Sequence, residues 1–449
     1  MEVLQRTANR GSVSTGYDID NSLKFEADNS EYLKWTDIST YATSARKKTF
    51  SFSVWFKINE LGVQRTIWST ASNGYLLLQA DGQLKWQQSY GGVVKTLNTN
   101  RLFRDTSAWY NVIIAVDSTQ STEANRVRLY VNGVEETSLT STTYPSQNAE
   151  AENVYENHHS LGAYNSSSIF WSGYMANVAF ISDAQITPSD VGEFDDDTGI
   201  WIPKAYSGGS APSYFLEFKD SSDLGTATGL DADTLNNIAA ADQATDTPTN
   251  NFATMNVLWG TNRMPLMSEG ATEFGNNVND YRYAPATMGV ASGKWYWEIK
   301  PTVNGNTLVS GAGIASNQET LFFYQTTGNF VYHYDGDRYV NGGASSFGAA
   351  WATNDIIGFA YDADNWTLTC YVNNSSQGNL LASQTDISSE LFIPYVYSFG
   401  THTYQTNFGG YTTMSNTHTN TDGNGYGSFV YTPPSGYYAL CTKNLAEYG

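Results

Sequence analysis

Cysteine is nearly missing from this 449-residue sequence: Cys370 and Cys441 are the only two. So few exclude a disulfide-stapled scaffold, and neither has the spacing of a zinc or redox motif, so both are expected as buried free thiols. Basic charge is scarce as well. Lys and Arg total 23 against 44 Asp and Glu, a formal net charge of -21, which repels phosphate backbones and argues against nucleic acid as a partner. No apolar run is long enough to cross a bilayer as a helix, so no membrane insertion is expected. The opening "MEVLQRTANRGSVSTGYDID" lacks the apolar core of a secretion signal, which predicts a chain made as a soluble protein.

What is abundant points to strands. Aromatic residues make up 14% and charged residues only 15%, and 39 glycines accompany many Ser, Thr and Asn. This composition favours short strands and polar turns over helices, so the fold class is expected to be all-β. The length suits two large β-sandwiches better than three small domains.

The first half carries a run of strand signals. "TFSFSVWFKI" sets Phe50, Phe52, Val54 and Phe56 against Ser51, Ser53, Trp55 and Lys57, the period of two of a strand with one face on a core. "GYLLLQADGQLKWQQ" predicts a hairpin at Asp81-Gly82, and "RVRLYVNGVEE" one at Asn132-Gly133. "WYNVIIAVD" reads as a central strand, and "FWSGYMANVAFIS" closes the series. "ITPSDVGEF" is expected as one short helix, with Thr187 as N-cap and Pro188 at its first position. With "SLKFEADNSEYL" and "HSLGA", these blocks resemble, in order, the laminin-G-like branch of the concanavalin A-like sandwiches.

In the second half, "SGKWYWEIKP" alternates Trp295, Trp297 and Ile299 with Tyr296, Glu298 and Lys300. "VSGAGIAS", the hairpin from "IIGFAYD" into "TLTCYVN", "LFIPYVYSFG" and "PPSGYYALCTKNL" follow. Together they resemble a SPRY domain, itself a bent two-sheet sandwich. The expected organisation is an amino-terminal arm over residues 1–20, a first sandwich over 21–206, a linker or strap over 207–261 and a second sandwich over 262–449. Within the strap, Phe252, Met255, Val257, Leu258 and Trp259 are too many apolar residues for a free tether, so an ordered segment packed on sandwich is predicted.

Catalytic patterns are few. Glu26, Asp28 and Glu31 in "EADNSE" have the E-x-D-x-x-E spacing of laminarinase-type glycosidases, which use two carboxylates about 5 Å apart. Here Asp28-Asn29-Ser30 reads as a turn, so the three side chains are expected to diverge as an acidic surface turn. "EFDDDTG" and "YDGDRY" gather carboxylates, but neither has the spacing of a self-sufficient calcium loop. No cofactor is expected, with calcium at these loops the one candidate. His158 and His159 are adjacent on a strand and should point to opposite faces, unsuited to one metal.

Binding is the better prospect. "FFYQTTGNFVYHYDGDRYVNGG" places Phe323, Tyr324, Tyr332, Tyr334 and Tyr339 around Gly- and Asp-rich turns, although alternate rings must fill the core. Tyr334, Asp335, Asp337 and Tyr339 are the chosen ligand-binding residues, because a turn at Gly336 should keep that tip exposed. No catalytic residue and no metal ligand is assigned.

The two sandwich patterns joined by "DTPTNNFATMNVL" resemble structural proteins of bacteriophages, especially tail-fibre and head-fibre proteins. That resemblance implies a non-enzymatic virion protein, made in host cytoplasm and displayed on the particle exterior. Its implied partners are other virion proteins and a host-surface glycan or protein. A homo-oligomer is expected, with a trimer the common state of such fibres. Two alternatives stay open: a purely structural subunit that binds other virion proteins, and a glycan depolymerase.

Overall fold

The computed structural model describes residues 16–71, 73–155, 158–258, 265–304, 309–316, 328–381 and 391–449. Strands dominate both of its compact units, which meet in sequence at Thr249 and Asn250.

The first unit is two facing antiparallel sheets. One runs Val134–Glu135, Val127–Val131, Trp109–Asp117, Thr49–Ile58, Gly173–Ser182, Ser22–Phe25 and Gln243–Ala244 in spatial order. Trp109–Asp117 is therefore central, as its continuous apolar run implied. The other runs Leu139–Thr143, Val93–Leu102, Gln83–Tyr90, Gly74–Leu78, Arg65–Thr70, His159–Leu161, Tyr32–Trp35 and Thr234–Asn236. Phe50, Phe52, Val54 and Phe56 face the core between them, where Phe52 stacks on Trp68 at 4.7 Å and Trp35 on Tyr214 at 4.1 Å. The hairpin at Asn132-Gly133 forms with both residues at positive φ, 47° and 78°, the backbone that a two-residue turn between twisted strands requires.

The opposite faces of these strands are not in solvent. Lys57 alternates outward from Phe56, yet it is buried and ion-paired to Asp246. Lys24, outward from Leu23, is buried between Glu31 at 3.2 Å and Asp242 at 2.8 Å. The segment around Asp242–Thr249 thus crosses the outer sheet face and is fastened to it through two buried ammonium groups. Ser22 Oγ donates to the Asp246 carbonyl, and Thr249 Oγ1 exchanges hydrogen bonds with the backbone of Ile19.

Several expectations change here. The first unit does not end at residue 206: Pro212–Leu216 pairs with the second half of Gly173–Ser182, and Thr234–Asn236 pairs with Tyr32–Trp35. The strap predicted over 207–261 is divided between the units, and its first part is sandwich. The arm predicted over 1–20 lies mostly outside the described residues, and Ile19 is already buried in the first unit. The helix expected in "ITPSDVGEF" is a single 3-10 turn, Pro188–Asp190, after which Gly192–Phe194 is a strand paired with Trp201–Pro203.

The second unit repeats the two-sheet plan. One sheet runs Leu266–Ser268, Glu273–Asn276, His402–Asn407, Lys294–Asn304, Ile357–Asp362, Thr367–Val372 and Ser375–Leu381. The other runs Tyr281–Pro285, Phe392–Phe399, Ser310–Ser316, Asn329–His333, Asp337–Val340 and Gly343–Ser346. Trp295, Trp297 and Ile299 face the core, with Trp297 stacked on Phe359 at 5.4 Å. Tyr296 and Glu298 face away, but Phe252, Phe429 and Cys441 pack with Tyr296, and the Val430 and Tyr431 N–H groups close on Glu298. Of the strap's apolar residues, Phe252, Met255 and Val257 are buried as expected, Leu258 is exposed, and Trp259 lies outside the described residues. A short helix, Thr442–Tyr448, ends the chain where the sequence suggested only a strand block.

Candidate functional site

The chosen residues sit where Asn329–His333 turns into Asp337–Val340. Gly336 makes the turn possible: its φ is +96°, and a Cβ there would stand 2.5 Å from the Gly348 carbonyl oxygen. His333 occupies the centre. Its Nδ1 lies 2.7 Å from Asp335 Oδ1, which also accepts the Asp337 N–H at 3.0 Å. Its ring lies 4.8 Å from that of Tyr334 and 5.4 Å from that of Tyr339. Tyr334, Asp335 and Tyr339 are therefore gathered about one imidazole. Asp337 shares a sheet face with Tyr339, two positions along the same strand, and pairs across to Ser346.

Burial resists the charge on Asp335, yet the His333 and Asp337 hydrogen bonds prevail and hold its carboxyl below the ordinary carboxylate range. Burial, with Asp335 and Asp337 close by, pushes the Tyr339 hydroxyl up, so it remains a neutral donor.

The expected exposure of this tip is corrected. Gly336 is buried, because Phe347 and Gly348 donate their N–H groups to its carbonyl and Trp351 donates to that of Tyr334. The segment after Gly343–Ser346 thus lies along the turn. Asp335 alone is exposed, while Tyr334, Asp337 and Tyr339 are half-buried. Tyr332 is a core residue, bonded to the Ala349 carbonyl, and Phe323 and Tyr324 lie outside the described residues. His333 was not singled out by the sequence reading, although its position two residues before Asp335 was the available signal.

The aromatic surface continues inward. Gly311 lies opposite both His333 and Tyr397, and a Cβ there would come within 2.9 Å of the Tyr397 ring. The glycines of "VSGAGIAS" thus leave room for rings to lie across the sheet, and Tyr397 stacks with Tyr283 and Tyr395 at 6.2 Å in each case.

The other candidates resolve into structural roles. Asp28 is exposed, but Glu26 and Glu31 are buried, so the acidic surface turn expected at "EADNSE" is only partly at the surface. Glu31 binds Lys24 and the Glu26 N–H, and burial pushes its carboxyl up to about 7. Glu26 accepts from the Ser172 hydroxyl. In "EFDDDTG", Asp195 Oδ1 accepts the Thr198 N–H and hydroxyl, a closed local turn. Among the described residues no three His, Cys, Asp or Glu side chains converge as a metal-ligand set.

His159 is enclosed in the first core, with Nε2 2.7 Å from the Val154 carbonyl and Nδ1 3.2 Å from Tyr214 Oη. Burial lowers its pKa to about 3, so it stays neutral. Both cysteines are buried free thiols, and burial pushes both up.

Comparisons agree with the sandwich architecture of the first unit. Residues 27–192 match the Laminin_G_3 family model, described as the concanavalin A-like lectin/glucanases superfamily. No curated protein matches the chain. Solved structures similar to it include the SPRY domain of human HERC1, at 19% identity and a TM-score of 0.27, covering 30% of this chain and 87% of that one. The TRIM65 PSpry domain is similar at 12% identity and a TM-score of 0.28, covering 34% and 89%. A heptameric SAP-like pentraxin from Limulus polyphemus is similar at 15% identity and a TM-score of 0.26, covering 38% and 80%.

Proposed function

We propose that the protein is a non-enzymatic recognition subunit of a bacteriophage particle, a fibre or a head or tail decoration, that binds a glycan or protein on the host surface. One observation carries the recognition role. Tyr334 and Tyr339 flank His333 at 4.8 and 5.4 Å beside exposed Asp335, at the end of a sheet and not on a free loop. Aromatic faces fixed next to a carboxylate supply both stacking area and hydrogen-bond acceptors to a ligand, without an ordering cost at binding. Of the carboxylates with glycosidase-like spacing, Glu31 is paired with Lys24, which supports the non-enzymatic reading. The particle assignment rests on the resemblance of "TPTNNFAT", residues 247–254, to phage structural proteins.

The test is binding of purified full-length protein to host cells. Wild type should bind, and Tyr334→Ala with Tyr339→Ala should weaken binding at least tenfold while leaving the melting temperature within a few degrees. Absence of binding by folded wild type would sink the recognition reading, and absence of the chain from a cryo-EM map of whole particles would sink the virion assignment.

A further inference from the structure

Lys24, Glu31 and Asp242 form a closed set on the outer face of the first sandwich, apart from the Tyr334–Tyr339 edge. Lys24 points away from the core between Leu23 and Phe25, and three carboxylate oxygens meet its Nζ: Glu31 Oε1 and Oε2 at 3.2 Å each and Asp242 Oδ1 at 2.8 Å. The Lys24, Glu31 and Asp242 side chains are only 1%, 3% and 9% exposed. Two acids thus crowd one buried ammonium, in a place where ions are poorly solvated.

Each acid is held for a different task. Asp242 Oδ2 accepts the Ala239 N–H at 2.7 Å, so one oxygen carries a fixed donor while the other touches the amine. Glu31 Oε2 accepts the Glu26 N–H at 2.7 Å and Oε1 the Asn29 side-chain amide at 3.0 Å, which fixes this carboxyl against Nζ. Burial, opposed by Lys24 and reinforced by Asp242, pushes Glu31 up to about 7, so near neutral pH it both takes and returns a proton. An amine, a carboxyl carbon and a proton carrier are therefore held together, and such positioning is worth an effective concentration of about 10⁵ M or more.

We propose that Lys24 and Asp242 join through an intramolecular isopeptide bond, with Glu31 as the catalytic base and acid. Glu31 takes one proton from the Lys24 ammonium, and the neutral amine attacks Asp242 Cγ to form the C–N bond. The Ala239 N–H donates to Oδ2 as negative charge develops there. Glu31 passes that proton, and then the second one lost by nitrogen, to Oδ1, and the Cγ–Oδ1 bond breaks as water leaves. Ammonium and carboxylate become one amide and one water. No oxidant is consumed, and two buried charges disappear. The event is a single self-modification without turnover, and it does not depend on what the protein recognises.

Lys57 supplies the contrast. It is equally buried and lies 2.7 Å from Asp246, but the third group on that pair is the Trp109 indole, which donates a hydrogen bond and accepts no proton. That pair stays ionic.

The position of the bond gives it a role. Lys24 is on the first described strand and Asp242 comes shortly before the last residue of the first unit, Thr249. An amide between them closes nearly the whole sandwich into a covalent ring, which constrains the unfolded chain as a disulfide of long span does and is indifferent to reductant.

The test is the mass of aged, folded full-length protein after denaturation, followed by peptide mapping. Wild type should weigh one water less than its sequence and yield a branched peptide joining Lys24 to Asp242. Lys24→Met and Asp242→Ala should show the full mass, and Glu31→Gln should form the bond at least about a hundredfold more slowly. The wild-type mass decides the matter even where a variant fails to fold. The proposal is overturned by a wild-type mass equal to that of the sequence, by a branch at Lys57 in place of Lys24, or by water loss confined to a linear peptide, which marks a succinimide. Bond formation at the wild-type rate in folded Glu31→Gln would overturn the role given to Glu31.

Discussion

Lys57 Nζ lies 2.7 Å from Asp246 Oδ2, with both side chains only 1% exposed. The same carboxylate accepts the Trp109 indole N–H at 3.1 Å, so both its oxygens are engaged. Removing one member takes the opposite charge away from the other in a buried place, which costs about 3–5 kcal/mol. Asp246→Ala should therefore lower the stability of the first unit by that amount in urea unfolding. Lys57→Met should cost a similar amount, and the double variant clearly less than the sum of the two. Additive losses would mean that the pair does not hold the Asp242–Thr249 segment down.

The second unit also holds a buried carboxylate, and its partners are all neutral donors. Glu298 accepts the Val430 and Tyr431 N–H groups at 2.9 and 2.8 Å, Asn407 Nδ2 at 3.0 Å and the Tyr296 hydroxyl at 3.1 Å. Gln at this position turns an NH2 group toward donors and leaves at least one buried group unmatched. Glu298→Gln should cost about 2–3 kcal/mol, and amide exchange at Val430 and Tyr431 should accelerate at least tenfold. Unchanged exchange at these two amides would refute the role of Glu298 in fastening this segment.

Much of the sandwich was legible in the sequence because its cause is local. The alternation of Phe50, Phe52, Val54 and Phe56 divides two faces whatever lies beyond them, and Asn132-Gly133 makes its turn unaided. The covering of the outer faces was not legible. Lys57 and Asp246 are 189 residues apart, and a period of two says that a strand has a second face without saying what lies on it. The same limit applies at the site. The rings of Tyr334 and Tyr339 were readable as a cluster around a turn, but the cover over Gly336 comes from residues 347–351, which carry no pattern pointing back to it. His333 became the centre only once the turn was closed.

The two buried glutamates also fix a pH dependence. Burial pushes Glu298 up to about 7 against its four donors, and pushes Glu31 up to about 7 with Asp242 adding to the shift and Lys24 opposing it. An unfolded glutamate titrates near 4.5, so between about pH 4.5 and 7 the folded chain holds protons that the unfolded chain has released. Their contribution is complete below 4.5 and is lost as pH rises through 7. Asp117, Asp335 and Asp362 act oppositely. Hydrogen bonds overcome burial and hold them below the ordinary 3.8, so their contribution is lost as pH falls below that value. Thermal stability should peak between about pH 4 and 5 and decline toward 7, with Glu298→Gln flattening the decline. A melting temperature that climbs steadily from pH 4.5 to 7 in calorimetry would rule this out.

Phe252 decides whether the segment after Asn250 is part of the second sandwich or a tether to it. It is 1% exposed, bridges to Cys441 and packs with Tyr296, Ala360 and Phe429. Its neighbours are fixed as well: the Ala253 N–H donates to the Leu440 carbonyl, and the Met255 N–H to that of Ala271. A ring so enclosed contributes about 3–5 kcal/mol relative to Ala, through lost burial and the cavity left behind. Phe252→Ala should lower the stability of the second unit by that amount while leaving the first unit's transition in place, because the two units have separate cores. Limited proteolysis supplies the independent readout. Native wild type should resist cutting between residues 250 and 257, and Phe252→Ala should be cut there at least tenfold faster, whereas rapid cutting of the wild type would show this segment to be a tether.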